Sequence, residues 1–397
     1  MSTIKQNKAG LRVLIAGSIL LLFLGILYVW SVFVKPVSEA YEWDIESVKL
    51  MTTFMLSFFA VGILAGGKML LKIGASAVVF IGGMMLAAGM FVSAFLTPNT
   101  AWLMYLTYGI AGGFGVGAAY NAVISAAQQW FPKKRGFAIG VSVCAFGFAA
   151  VIFAPLIEAL TARFGVRSTF MILAAIFFTV VLALFRFIRL PGAETQGGAA
   201  AAAADLFAKR QYTVGEALKT KQFYLITISM MFATTAFFVL NPIFVVLALE
   251  RGLSGSMPTI AVMLTGVANA SGRLCVPLLS DKIGGEKAVI TIILATGVCA
   301  LLLCFAQGFL FVASIVVVAF CFGGIPSTYP VITADYFGIK NVGSNYGAVM
   351  IGYALSALTF PMALALVGDT TARFVILAFL SLLGAALVVW LMRCKKR

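Results

Sequence analysis

Twelve apolar runs, each long enough to cross a bilayer as a helix, follow one another along this sequence. A transmembrane helix needs about 20 predominantly apolar residues. Charged residues make up 10% of the chain, whereas they make up about a quarter of a soluble domain. We therefore predict an all-α membrane protein with twelve transmembrane helices. The spans lie near 11–34, 48–70, 75–96, 101–127, 136–158, 168–188, 221–249, 257–280, 287–306, 309–334, 343–366 and 372–392.

The basic residues indicate how such a bundle is oriented. The chain has 28 Lys and Arg against 13 Asp and Glu. Most of the basic residues lie in predicted loops on the same side of the membrane as the N-terminus, for example Lys133, Lys134 and Arg135. Cytosolic loops are enriched in Lys and Arg. We expect both termini in the cytosol and a location in the plasma membrane, the inner membrane of a bacterium. Because the basic residues form short clusters between apolar runs, they do not indicate a nucleic-acid partner.

Several kinds of chemistry find no support in the sequence. The chain has no histidine, and its six cysteines show neither C-x-x-C nor Cys/His metal spacing. It also contains no phosphate-binding G-x-x-x-x-G-K-[ST] motif and no nucleophile and base in a recognisable pattern. We expect no metal, no cofactor, no ATP-driven pumping and no enzyme activity.

One polar connection, at 191–220, separates two blocks of six spans. It contains a low-complexity run from Gly197 to Ala204, which is typical of a spacer. We predict an N-terminal six-helix bundle at 1–190, a cytosolic linker over the connection and a C-terminal six-helix bundle at 221–397.

Two short echoes indicate that the two blocks are copies of one unit. The first is a Lys-Ile-Gly sequence, which follows span 2 and again span 8. The second is an aromatic pair followed by two glycines. Two pseudo-symmetric halves around a site near the midplane are the architecture of alternating-access carriers. The matching residues are Lys72-Ile73-Gly74 with Lys282-Ile283-Gly284, and Trp130-Phe131, Gly136 and Gly140 with Tyr336-Phe337, Gly343 and Gly347.

Arg273 is the clearest charge inside a predicted span. It lies about 5 residues, or roughly 8 Å, from the midpoint of span 8. An ionisable residue at that depth is a functional hypothesis, although a side chain that reaches the interface is the structural alternative. A guanidinium suits a carboxylate. Asn269 lies four residues earlier on the same helical face, where it could orient the guanidinium, bind substrate or join two helices.

Further polar side chains in the spans could complete a binding site. A buried phenol needs a hydrogen-bond partner, which a central polar cavity would supply. Ordinary packing is the alternative for each of them. The candidates are Tyr28, Tyr120, Asn121, Tyr329 and Tyr353.

Longer motifs resemble the major facilitator superfamily and, within it, the oxalate:formate antiporter and monocarboxylate transporter group. The loop after span 8 is similar to the superfamily's cytosolic loop motif, but its first-half copy has Leu71 where the acid is expected. The resemblance covers nearly the whole chain. The segments that carry it are Ser280-Asp281-Lys282-Ile283-Gly284 with Lys287, Gly115 to Gly136, Asn345-Tyr346-Gly347, and Trp30 to Pro36.

The resemblance implies roles for individual residues. Arg273 would bind the substrate carboxylate, and Asp281 and Lys282 would close the cytosolic gate. Lys35 matches a lysine that animal monocarboxylate carriers use, which makes it the candidate for proton coupling. Oxalate carriers have a second basic residue in span 11, where this chain has Tyr353. One arginine neutralises a monoanion but leaves a dianion with unpaired charge in a low dielectric.

These features predict a secondary active transporter of small monocarboxylates such as lactate or pyruvate. We expect proton-coupled symport by alternating access in a monomer, with small carboxylate anions, protons and the lipid bilayer as its partners. An anion exchanger of the oxalate:formate type is the alternative within the family. A channel and a non-transporting receptor are the alternatives from other classes.

Overall fold

Long helices form nearly all of the structure, a computed structural model that describes residues 2–191, 210–254 and 257–395. A 3-10 segment, Gly25–Val29, joins α1 to α2, and a π-helical segment, Tyr105–Gly112, leads into α4. The helices are α1 Ser2–Leu24, α2 Trp30–Tyr41, α3 Ile45–Ser93, α4 Gly113–Trp130, α5 Arg135–Leu184, α6 Val214–Ala217, α7 Lys221–Glu250, α8 Met257–Ile283, α9 Gly285–Leu302, α10 Gly308–Phe337, α11 Val342–Ala365 and α12 Thr370–Lys395.

Two of these helices are twice as long as a bilayer requires. Within the described residues, ten helical segments are long and apolar enough to cross a membrane, and two of them contain 47 and 53 residues. Those two, in α3 and α5, are interrupted at Gly74 and Gly165, whose φ angles are 80° and 76°. Each therefore contains two spans, so the ten segments contain the twelve predicted spans. The all-α membrane fold is confirmed.

The two interruptions require glycine for conformational reasons. A φ near +80° is costly for residues with a side chain. A Cβ placed on Gly74 or Gly165 would have no atom within 4 Å, so packing does not select glycine there. The backbone turn alone does.

The chain forms two compact units. Unit 1 comprises Met1–Lys133, Ala145–Lys209 and Ile339–Gly347, and unit 2 comprises Lys134–Cys144, Arg210–Gly338 and Ala348–Arg397. Each unit thus takes one short segment from the opposite half of the sequence. The predicted linker at 191–220 lies mostly outside the described residues, including its run from Gly197 to Ala204.

Aromatic side chains form much of the core of unit 1. Trp30 is 1% exposed, and its Nε1 donates to the carbonyl oxygen of Val48 at 2.9 Å. Its ring lies 5.1 Å from that of Tyr108, and Phe33 stacks on Phe170 at 4.9 Å. A buried indole N–H needs such an acceptor, so this bond fastens α2 to α3.

The longest segment of unit 2, Arg210–Gly338, begins with a short capped helix, and the unit contains its own apolar core. At the start of α6, the backbone N–H of the N-cap residue Thr213 donates to Glu216 at 2.8 Å, and this bond is the main reason why the pKa of Glu216 falls to about 2. Further along the chain, Phe244 of α7 stacks on Phe311 of α10 at 6.0 Å. Both rings belong to one buried cluster that also includes Leu303 and Phe374.

Candidate functional site

Arg273 is buried in α8 and held by its neighbour on the same helix. The residue is 4% exposed, and its Nε donates to Oδ1 of Asn269 at 2.9 Å. A long helical side chain points toward the N-terminus of its helix, so a residue four positions earlier is well placed to accept this bond. Of the roles that the sequence left open for Asn269, this geometry matches the orientation of the guanidinium.

Small residues let α10 pack tightly against this part of α8. A Cβ on Gly323 would lie within contact distance of the Asn269 backbone, and a Cβ on Gly272 would meet the backbone of Phe320. Glycines permit helix backbones to approach each other closely in membranes. The turns that carry Asn269 and Arg273 are therefore fixed against a second helix, which is the support that a binding group needs.

The start of α5 packs against the same helix. A Cβ on Gly140 would lie 3.3 Å from the carbonyl oxygen of Arg273, and one on Gly136 would lie 2.8 Å from Oδ1 of Asp281. Pro277 lies between these two contacts in α8. Because proline has no N–H, the Arg273 carbonyl lacks its usual donor four residues later.

Asp281 caps the first turn of α5. Its Oδ1 accepts from the backbone N–H of Gly136 and its Oδ2 from that of Phe137, each at 2.9 Å. The first N–H groups of a helix have no partner within the helix, and the helix dipole favours an anion there. Lys282, the other predicted gate residue, is exposed in the last turn of α8.

A second charged contact holds the same turn and was missed at the sequence level. The Arg135 Nη2 lies 2.6 Å from Oδ1 of Asp335, and the two side chains are 12% and 18% exposed. Their positions in the repeat could have indicated this pair, because Arg135 closely follows Trp130-Phe131 and Asp335 directly precedes Tyr336-Phe337. These aromatic pairs are equivalent points of the repeat. Two carboxylates thus fasten the start of α5.

The two predicted tyrosines of unit 2 differ in their surroundings. Tyr329 is 1% exposed, and its hydroxyl lies 3.0 Å from Oγ of Ser229, which itself donates to the Ile226 carbonyl. The phenol is therefore the donor to Ser229. Tyr353 is half-buried, with its ring 5.0 Å from that of Phe238.

Three of the predicted site residues of unit 1 lie in two places. Tyr28, which is 37% exposed, and Tyr120 both pack on Phe146, with ring centroids 5.4 Å and 5.1 Å away. Lys35 lies elsewhere, 3.8 Å from the Glu39 carboxylate, and both side chains are mostly exposed.

Asn121 is fully buried, and its carboxamide is bound by the protein. Its Nδ2 donates to the carbonyl oxygens of Ile63 at 2.6 Å and of Gly343 at 2.7 Å. Its Oδ1 accepts from Oγ of Ser125 at 3.2 Å. A primary amide has two N–H donors, so both are engaged by backbone carbonyls. This side chain joins three helices.

Comparison with known proteins identifies the class to which this fold and site belong. The family model of the Major Facilitator Superfamily matches residues 15–361, with a second match at 226–397. The chain belongs to this superfamily. It is a multi-pass membrane transporter and not an enzyme.

Individual relatives narrow the group. The chain is 27% identical to an uncharacterized MFS-type transporter, YhjX of Escherichia coli, over 86% of this chain and 84% of that protein. It is 28% identical to the oxalate:formate antiporter of Oxalobacter formigenes over 81% and 76%. It is 24% identical to monocarboxylate transporter 13 of Rattus norvegicus over 93% and 86%. The resemblance to the oxalate:formate antiporter and monocarboxylate transporter group is confirmed.

A solved structure shows the same fold. The transporter FucP in the outward conformation matches with a TM-score of 0.72 and 16% identity, over 97% of this chain and 98% of that chain. At this identity the likeness shows the fold alone.

Proposed function

We propose that this protein is a secondary active transporter of small monocarboxylates such as lactate and pyruvate. The observation that carries the proposal is the buried guanidinium of Arg273, held by Asn269 in α8. A permanently charged fork of N–H donors binds a carboxylate in two places. We propose these two residues as the core of the substrate site, with Tyr353 as a further contributor expected from the sequence.

The charge count favours a monoanion. Arg273 is the one cation among the buried residues of the described part of the chain, and at the predicted position of a second base stands Tyr353. A dianion bound by a single arginine would keep one charge without a counter-charge, which is costly in a low dielectric. Tyr28 and Tyr120 in unit 1 remain predicted contributors.

We propose proton-coupled symport by alternating access, with Lys35 as the proton-coupling residue, in a monomer of a bacterial inner membrane with both termini in the cytosol. Lys35 is proposed for this role because it matches the lysine that animal monocarboxylate carriers use; in this chain it lies 3.8 Å from the Glu39 carboxylate. The gate contacts would be those that Asp281 makes with the first turn of α5, with Lys282 beside them.

Exchange of one anion for another is the second candidate. Among the buried residues of the described part, Glu286 is the one carboxylate, and it lies in the first turn of α9. Moving an unoccupied, charged Arg273 through the cycle is costly when no acid accompanies it. A relative named an oxalate:formate antiporter also supports exchange.

Uptake by proteoliposomes distinguishes the candidates. We expect labelled lactate or pyruvate to enter, and an inward proton gradient to stimulate the entry. Strong oxalate uptake that requires internal formate, without lactate uptake, would contradict the monoanion proposal. Flux that internal substrate does not accelerate would indicate a channel, and absence of any flux a receptor.

A further inference from the structure

The first turn of α11 is fastened in unit 1 by a neutral side chain. Residues Ile339–Gly347 belong to the second half of the sequence but pack in unit 1. There the carboxamide of Asn121 donates one N–H to Gly343 of α11 and the other to Ile63 of α3. One buried side chain therefore connects α3, α4 and α11.

Backbone packing brings α11 onto α3 at the same level. A Cβ on Gly67 would lie 2.5 Å from the carbonyl carbon of Gly343, and one on Gly347 would lie 2.7 Å from Cα of Leu64. At such separations the two backbones are in direct contact. The two N–H groups of Asn121 thus bind carbonyl oxygens on both sides of a backbone-to-backbone contact.

The equivalent turn in unit 2 is fastened by charge instead. There the start of α5, with Gly136 and Gly140, is held by the carboxylates of Asp281 and Asp335. In the first half, Leu71 occupies the position of the motif acid, and it is 51% exposed. The two helix starts are equivalent in the sequence repeat. Asn121 therefore fastens the start of α11, as the two carboxylates fasten the start of α5.

We propose that Asn121 is a gate residue. It holds the first turn of α11 against α3 and α4, and it releases this turn when the carrier opens at the end where α11 begins. The inference rests on the proposed function in one respect, that the carrier changes conformation. It assigns to Asn121 a positioning role in place of the substrate contact expected from the sequence. Because the carboxamide is neutral, this contact responds to neither salt nor pH.

Ser344 provides a probe at this contact. It is 2% exposed, and its Oγ is buried without a hydrogen-bond partner. Ser344→Cys therefore adds a thiol at little cost. Alkylation of that thiol by a maleimide, followed by mass spectrometry of its peptide, measures how often the turn is released. The measurement uses the purified full-length protein in detergent, without substrate.

Asn121→Ala in the Ser344→Cys background should raise the alkylation rate by about 2- to 10-fold, since it removes the hydrogen bond to Gly343 that holds α11. Ser125→Ala is the matched control, because the bond that it removes, to Oδ1 of Asn121, lies within α4 and does not reach α11. It should change the alkylation rate by less than about twofold. Alkylation of Cys321, 2% exposed in α10, should not change.

Asn121→Asp keeps the shape and tests the donors directly. As a carboxylate it has no hydrogen to donate, whereas the protonated acid can donate one. Its alkylation rate, divided by that of Ser344→Cys alone at the same pH, should be high at neutral pH and fall as the pH is lowered. If Asn121→Ala also increases the alkylation of Cys321, that variant is unfolded. Asn121→Asp then tests the proposal in its place.

A ratio that stays near one in both variants would overturn the proposal. So would an Asn121→Asp ratio that is raised but independent of pH. Failure of lactate uptake would leave these measurements unaffected, because they involve no substrate, and would count against the proposed function alone.

Discussion

Replacement of Arg273 by lysine separates the charge of the proposed substrate site from its geometry. Lysine keeps the positive charge, but it cannot make the 2.9 Å bond from Nε to Asn269, and it presents a single ammonium group in place of a planar fork. An arginine that binds a carboxylate in two places makes two charge-assisted hydrogen bonds. We therefore expect the lysine variant to bind substrate with at least one such bond fewer.

The size of the effect follows from these bonds. A hydrogen bond to a charged group contributes about 1.5–3 kcal/mol, and 1.4 kcal/mol is a factor of ten in affinity. Arg273→Lys should thus weaken carboxylate binding by about 10- to 100-fold. Arg273→Ala leaves the substrate charge buried without a counter-charge, which costs about 3–5 kcal/mol, so binding should fall by more than 100-fold.

Equilibrium binding of labelled lactate to the purified protein, with initial uptake rates in proteoliposomes, provides the measurement. Arg251→Lys is a matched control, since Arg251 is a half-buried arginine that donates to the Ala306 carbonyl at 3.1 Å. It should leave affinity within about twofold, because a bond to a neutral acceptor away from the site is worth little to binding. Wild-type affinity in Arg273→Lys, or uptake retained in Arg273→Ala, would refute the reasoning.

Three further predictions concern other contacts. Asp281→Asn should speed hydrogen exchange of the Gly136 and Phe137 amides about tenfold, because one charge-assisted acceptor is lost, while Lys282→Ala should not; equal rates in both would contradict the cap. Lys35→Ala should abolish stimulation of uptake by a proton gradient without changing the melting temperature, since an exposed ion pair contributes little; persistent stimulation would exclude Lys35. Tyr329→Phe should lower the melting temperature by a few degrees, through loss of one buried bond to Ser229 worth about 1 kcal/mol, and leave substrate affinity unchanged; an affinity loss would place the phenol in the site.

The position of the spans could be predicted from the sequence because the solvent decides it. An apolar run of about 20 residues satisfies its backbone within the helix and its side chains in lipid, whatever its neighbours are. The proximity of Asn269 to Arg273 was equally predictable, because residues four apart on a helix face each other; the structure decided among the roles of Asn269. The predicted break between spans 2 and 3 also coincides with the structure, where Gly74 turns the chain.

The role of Asn121 shows where such reasoning stops. From sequence it is a polar residue within a span and so a candidate ligand. In the structure its donors reach carbonyl groups 58 and 222 positions away. No local pattern distinguishes an amide that faces a cavity from one that faces a neighbouring backbone.

By itself, the sequence determined the spans, the placement of Asn269 on the same helical face as Arg273, and the motifs of a major facilitator transporter. All of these depend on short-range spacing or on the contrast between lipid and water. Only the tertiary structure decided that Arg135 meets Asp335, 200 positions away, and that Asn121 fastens α11. Partners so distant in sequence are selected by how the helices pack, and packing depends on the whole chain at once.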